Sequence, residues 1–226
     1  MKSNNLGKIM SNKMKMSSQD GTIDGKAICE NGRDWSDVLV VGDSHHAKLG
    51  GFWATHGASM IAIRGGGIQH AEKATKGKYS KIFILELGGN DLIKNGGLEV
   101  AKRLGRLVAQ LLDQNSTEMV ITGSPIPRTA GPKFVEEFIK FENNMTRVQV
   151  GHHHHHSDIF LDDNRIGTDR SMFATDLTHL NSKGTQILSQ QMEWVMESIN
   201  MGVFEGRSRP VVRKSPTDYR GTWWKF

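Results

Sequence analysis

Ser36-Asp37-Val38-Leu39-Val40-Val41-Gly42-Asp43-Ser44, residues 36–44, is the stretch that decides the fold. Val38 to Val41 are apolar without alternation, and three of the four are β-branched valines. A strand with one wet face would alternate, so an unbroken run of this length predicts a strand buried on both faces, as in a parallel sheet covered by helices. Gly42 then allows the chain to turn sharply out of the strand.

Working outward, runs of the same kind recur at ASMIAI (58–63), KIFILEL (81–87), EMVITGS (118–124) and SDIFL (157–161). Helical patterns lie between and after them. In LEVAKRLGRLVAQLLDQ (98–114), Leu98, Ala101, Leu104, Val108, Leu111 and Leu112 fall at three- and four-residue steps, one face of a crossover helix. Phe134, Phe138, Phe141 and Met145 mark a helix over 133–148, and Ile187, Leu188, Met192, Val195 and Ile199 another over 182–200. The alternation predicts an α/β fold: a doubly wound, mainly parallel five-stranded sheet with helices on both faces, a three-layer flavodoxin-like sandwich. Its ligand cleft should open beyond the carboxyl ends of the strands.

Three short motifs occupy that rim. Gly42-Asp43-Ser44 closes the first strand and opens what should be a helix, where backbone N–H groups favour a developing oxyanion. Taken alone, the tripeptide reads better as a helix cap through Asp43 or Ser44. Gly88-Gly89-Asn90-Asp91 follows KIFILEL, and the Asn90 amide offers two hydrogens to a carbonyl oxygen gaining charge, although the motif alone reads as a turn. Asp176-Leu177-Thr178-His179 precedes the last helix, and a carboxylate three residues ahead of an imidazole can orient it as a base or make a simple surface ion pair. Gly65-Gly66-Gly67, after ASMIAI, is a flexible loop or the source of a further N–H donor. Together they supply a nucleophile, an oxyanion donor and an oriented base, each from a different part of the rim.

The ordered set GDS (42–44), the glycine loop (65–67), GGND (88–91) and DLTHLN (176–181) resembles the four blocks of the SGNH, or GDSL-like, hydrolases, over about residues 36–200. That resemblance implies Ser44 as nucleophile, His179 as general base and then acid, and Asp176 as the carboxylate orienting His179. It further implies an oxyanion hole of the Ser44 N–H, a glycine N–H and the Asn90 side chain. Gly65 is assigned as that glycine because Gly66-Gly67-Ile68 looks like the start of the next helix. The substrate implied is a small-molecule or lipid-like carboxylic ester of short acyl, acetyl or longer chain, and neither a cofactor nor a metal is called for. The chain departs from the family at His45-His46, two bulky titratable residues where a small or leucine side chain often follows GDS. GDSH and the ending THLN-x-x-G also look like SGNH domains carried by animal retrotransposons.

Of 226 residues, 29 are Lys or Arg and 24 Asp or Glu, a formal charge of +5. The excess sits at the ends. Residues 1–34 and 203–226 together hold 12 of the basic and 6 of the acidic residues, which leaves 17 and 18 in a nearly neutral body. Residues 1–33 read as a flexible arm in which Met10, Met14 and Met16 are adhesive side chains, 34–202 as the hydrolase-like domain, and 203–226 as a basic tail ending in Trp223-Trp224. Such tails could contact nucleic acid, and the rival to an esterase is an accessory SGNH-fold module that binds nucleic acid through them.

Cys29 is the sole cysteine, so no intrachain disulfide forms. No stretch approaches the ~20 apolar residues of a membrane span, and the opening residues lack a signal-peptide core, which points to an intracellular protein. The run His152 to His156 has metal-binding side chains but no spacing that fixes a geometry, and reads as a solvated loop. Arg128 reads as ordinary surface charge near the rim.

Overall fold

The computed structural model describes residues 18–31, 36–126, 131–151, 158–161, 166 and 169–200. The basic tail, the histidine run, Arg128 and the three N-terminal methionines lie outside them. All five expected strands form: β3 (Val38–Gly42), β4 (Ser59–Ile63), β5 (Ile82–Glu86), β6 (Met119–Gly123) and β7 (Asp158–Leu161). They pair in parallel in the order β4-β3-β5-β6-β7. The first of these strands in the chain thus stands between the second and third. The topological switch point, where a cleft opens, is therefore between β3 and β5.

Two strands were not expected. β1 (Ser18–Ile23) and β2 (Lys26–Asn31) form an antiparallel hairpin, and β2 pairs antiparallel with β4, so among the described residues the sheet has seven strands. The reading of 1–33 as a loose arm is corrected over Ser18–Asn31. The physical signal is Asp24-Gly25: both residues take positive φ, 50° and 73°, and Ile23 pairs with Lys26 across them. An Asp-Gly pair with two positive φ angles makes the two-residue turn whose twist suits a hairpin.

Strand residues send alternate side chains to two cores, which explains the unbroken apolar runs. Leu39 and Val41 of β3 join Phe83, Leu85 and Val120 under one layer of helices, while Val38 and Val40 join Met60, Ile84 and Ile121 under the other. The first layer holds α2 (Ile68–Thr75), α4 (Gly97–Leu112) and α5 (Pro132–Gly151), and the second α1 (Gly50–Thr55) and α6 (Ser182–Asn200). A short α3 (Leu92–Asn95) precedes α4.

Phe134, Phe138, Phe141 and Met145 are all in the core, as the spacing in α5 implies. The face of α4 is turned from expectation at its start. Leu98 is 46% exposed, whereas Val100 and Leu107 are buried. The reason lies in the entry to the helix: a Cβ on Gly97 would overlap the Glu137 carbonyl of α5, so the α4 backbone is pressed against α5 there and Leu98 points away.

Candidate active site

Gly42 pairs with Glu86 in the sheet, so the turns after β3 and β5 leave the rim side by side. The turn after β3 is closed by Asp43. Its Oδ1 accepts the His45 backbone N–H at 2.9 Å and lies 3.0 Å from His45 Nδ1. Ser44 stands at the tip, partly exposed, while Asp43, His45 and His46 are buried. Beyond this tip a four-residue 3₁₀ turn, His46–Leu49, leads into the short α1. The helix expected to open at Ser44 thus begins two residues later, as a 3₁₀ turn before α1. Gly42 is required because a Cβ there would lie 2.5 Å from His46 Cγ.

Burial would push the Asp43 carboxyl up, but its contacts with His45 and then His46 outweigh this and hold it far below the usual range. The neighbouring Glu86 is the opposite case. Burial, and then the Asp43 charge, push it up to about 8, so it stays protonated at neutral pH. Glu86 lies across Gly123 of β6, where a Cβ would collide with its carboxyl group.

The loops after β4 and β5 are tied together. Asn90 Nδ2 donates to the Gly66 carbonyl at 2.7 Å, which fixes the amide's direction, and Asp91 Oδ2 accepts the Ile68 N–H at 2.9 Å, anchoring the start of α2. Gly66 N–H donates to the Ile63 carbonyl and Gly67 N–H to His70 Nδ1. Of the three glycine N–H groups, that leaves Gly65's without a partner among the described bonds. Gly65 has φ 64°, which a side chain would disfavour.

The turn before α6 is held by Asp176. Its Oδ1 accepts the Thr178 and His179 N–H groups, both at 2.9 Å, and its Oδ2 lies 2.7 Å from His179 Nδ1. The His179 N–H, then its side chain, then the Thr178 N–H hold the Asp176 carboxyl well below the usual carboxylate range. Leu177 takes φ 53°, uncommon for a leucine, to make so tight a turn. Asn181 Oδ1 accepts the Gly184 N–H, capping α6. Asp176 and His179 remain about half exposed, at 51% and 44% of their side-chain surface.

Two contacts bring this turn to the Ser44 loop: His45 Nε2 lies 3.0 Å from the Thr178 carbonyl, and Lys48 Nζ donates to the Leu180 carbonyl at 2.7 Å. The rings of His45 and His179 are 5.7 Å apart. An open recess of about 420 Å³ is lined by Lys48, Asn181 and polar side chains of α6. Ser44, Asn90, Gly65, Asp176 and His179 thus all stand on turns at the carboxyl rim, and these bonds tie the turns together in pairs. The parts played by Asp91 and His45 were not legible in the sequence. Asp91 sits inside the GGND motif, which was the signal available for it. For His45 only its odd placement after Gly42-Asp43-Ser44 gave a sign.

No protein-family model matches the chain, and neither does any curated protein. Solved structures do. A GDSL-like lipase from Bacteroides thetaiotaomicron superposes with a TM-score of 0.54 at 15% identity, over 72% of this chain and 88% of that one. An acetylxylan esterase from Geobacillus stearothermophilus, solved as a catalytic mutant, gives 0.55 at 12% identity over 71% and 94%. A lipase/acylhydrolase from Enterococcus faecalis gives 0.52 at 14% identity over 71% and 95%. The chain is similar to these in fold. It shares their α/β architecture across most of their length.

Among the described residues, no helix is long and apolar enough to cross a membrane, and no three His, Cys, Asp or Glu side chains group to hold a metal.

Proposed function

We propose that the chain is a serine esterase that hydrolyses carboxylic esters through an acyl-enzyme on Ser44. The observation that carries this is the Asp176–His179 pair at 2.7 Å, on a turn whose Thr178 carbonyl meets His45, the residue after Ser44. A second line comes from the Geobacillus acetylxylan esterase. Its catalytic mutants replace a serine, an aspartate and a histidine, with the aspartate three positions before the histidine, as Asp176 precedes His179.

In this reading the Asp176 carboxylate accepts a hydrogen bond from His179 Nδ1–H, which leaves Nε2 to accept the Ser44 Oγ proton as Oγ attacks the ester carbonyl carbon. The carbonyl π electrons move to oxygen, and the N–H groups of Ser44 and Gly65 and the Asn90 amide receive that charge. Collapse breaks the bond to the alcohol, which leaves with the proton held by His179. Water, deprotonated by His179, then attacks the acyl carbon, and Ser44 recovers its proton as the carboxylic acid departs. GDSH and THLN-x-x-G keep the retrotransposon-type domains as the narrower likeness.

The test is p-nitrophenyl acetate hydrolysis by the full chain and by Ser44→Ala. Turnover that disappears in the variant is expected. Equal rates in both would remove Ser44 from the chemistry.

A further inference from the structure

We propose that His45 is a positioning residue that clamps the Ser44 turn to the His179 turn, bridging the Asp43 carboxylate and the Thr178 carbonyl. This rests on the esterase reading and adds to it. His45 is 2% exposed, and its two ring nitrogens each lie 3.0 Å from an oxygen, Asp43 Oδ1 on one side and the Thr178 carbonyl on the other. Both oxygens are acceptors, so the ring stands between two hydrogen-bond acceptors held on opposite sides of it.

The neighbouring histidine is held differently, with its ring 4.0 Å from the same Asp43 oxygen. His46 is 1% exposed, has no hydrogen-bond partner at either nitrogen among the described residues, lies over Gly42 and stacks on Trp53 with ring centres 6.3 Å apart. It packs. His45 connects, and it does not act alone. Lys48 holds the Leu180 carbonyl, so the carbonyls on both sides of His179 are gripped by donors from the segment just after Ser44. The exposed His179 has Asp176 for its tautomer but needs a tie to the sheet to keep its distance from Ser44. A misplacement of about 1 Å between reacting groups can cost about a hundredfold in rate.

Asparagine and glutamine separate the two halves of the clamp. An amide in His45→Asn can reach Asp43 from the place of Nδ1 but not Thr178, while His45→Gln can reach the Thr178 carbonyl from the place of Nε2. The full chain is assayed with p-nitrophenyl acetate, competent sites are titrated with a fluorophosphonate, and amide hydrogen exchange is followed over residues 174–181.

Per titrated site, His45→Asn and His45→Leu should lose about 10- to 100-fold in kcat with KM within about twofold, and His45→Gln should recover much of the loss. Exchange over 174–181 should quicken about tenfold in His45→Asn and return toward wild type in His45→Gln. Unchanged kcat per site in His45→Asn, or His45→Gln no better than His45→Leu, overturns the clamp. A wild type that neither turns over nor labels refutes the esterase reading instead, and the exchange rates then decide the clamp: no quickening in His45→Asn overturns it.

Discussion

The turn carrying Ser44 and the turn carrying His179 reach the same rim by opposite means. The first is built into the sheet: Asp43 and His45 are buried, Gly42 is pressed under His46, and the protonated Glu86 lies next door. The second is a surface turn whose Asp176 and His179 are half exposed and are organised by their own backbone N–H groups and by His45 and Lys48, which reach its carbonyls. One turn is positioned by packing and the other by local hydrogen bonds and by His45. Changes in the first should therefore cost stability as well as rate, while changes in the second should cost rate alone.

The largest effect that tests this contrast is at the exposed turn. His179→Ala should lower kcat by about 10³- to 10⁴-fold or more, while its unfolding free energy stays within about 0.5 kcal/mol of wild type, as read by ester turnover and urea denaturation. A large loss of stability there would break the distinction. Asn90→Ala, between the two turns, should remove about 2.7–4 kcal/mol of transition-state stabilisation in kcat, measured on the same substrate.

Glu86 sharpens the comparison through pH. Its carboxyl is raised from 4.5 to about 8 in the fold, so the folded state binds its proton more tightly than the unfolded one. Stability from this group is complete below pH 4.5 and is lost as pH climbs to about 8, with a slope of up to about 1.4 kcal/mol per pH unit. Denaturation of Glu86→Gln across that window should lack this decline, and the variant should be the more stable protein at pH 8. Gly42→Ala should cost about 1–3 kcal/mol as the new methyl displaces His46, visible as a lower melting temperature.

The parallel sheet was legible because strands buried on both faces must be apolar at every position, and Val38–Val41 satisfy that without alternation. The position of the candidate residues on rim turns was legible for a related reason. Gly42-Asp43-Ser44, Gly88-Gly89-Asn90-Asp91 and Asp176-Leu177-Thr178-His179 each follow a strand or precede a helix, where local geometry decides what the motif can do. Asp24-Gly25 carried as clear a hairpin signal, but β1 and β2 lack the apolar runs of the central strands, and polar edge strands resemble loops in sequence. Leu98 was assigned to the core by periodicity, and only the approach of α5 to Gly97 turns it outward. The tie from His45 to Thr178 spans 133 positions, and no local pattern encodes a contact of a side chain with so distant a carbonyl.

The most direct measurement is mass spectrometry of the full chain after reaction with a fluorophosphonate. One adduct per chain, on the peptide that contains Ser44 and missing from His179→Ala over the same exposure, is the expected result. An adduct on another residue, or none on a folded wild type, would contradict the convergence of a hydroxyl, an imidazole and an amide at this rim.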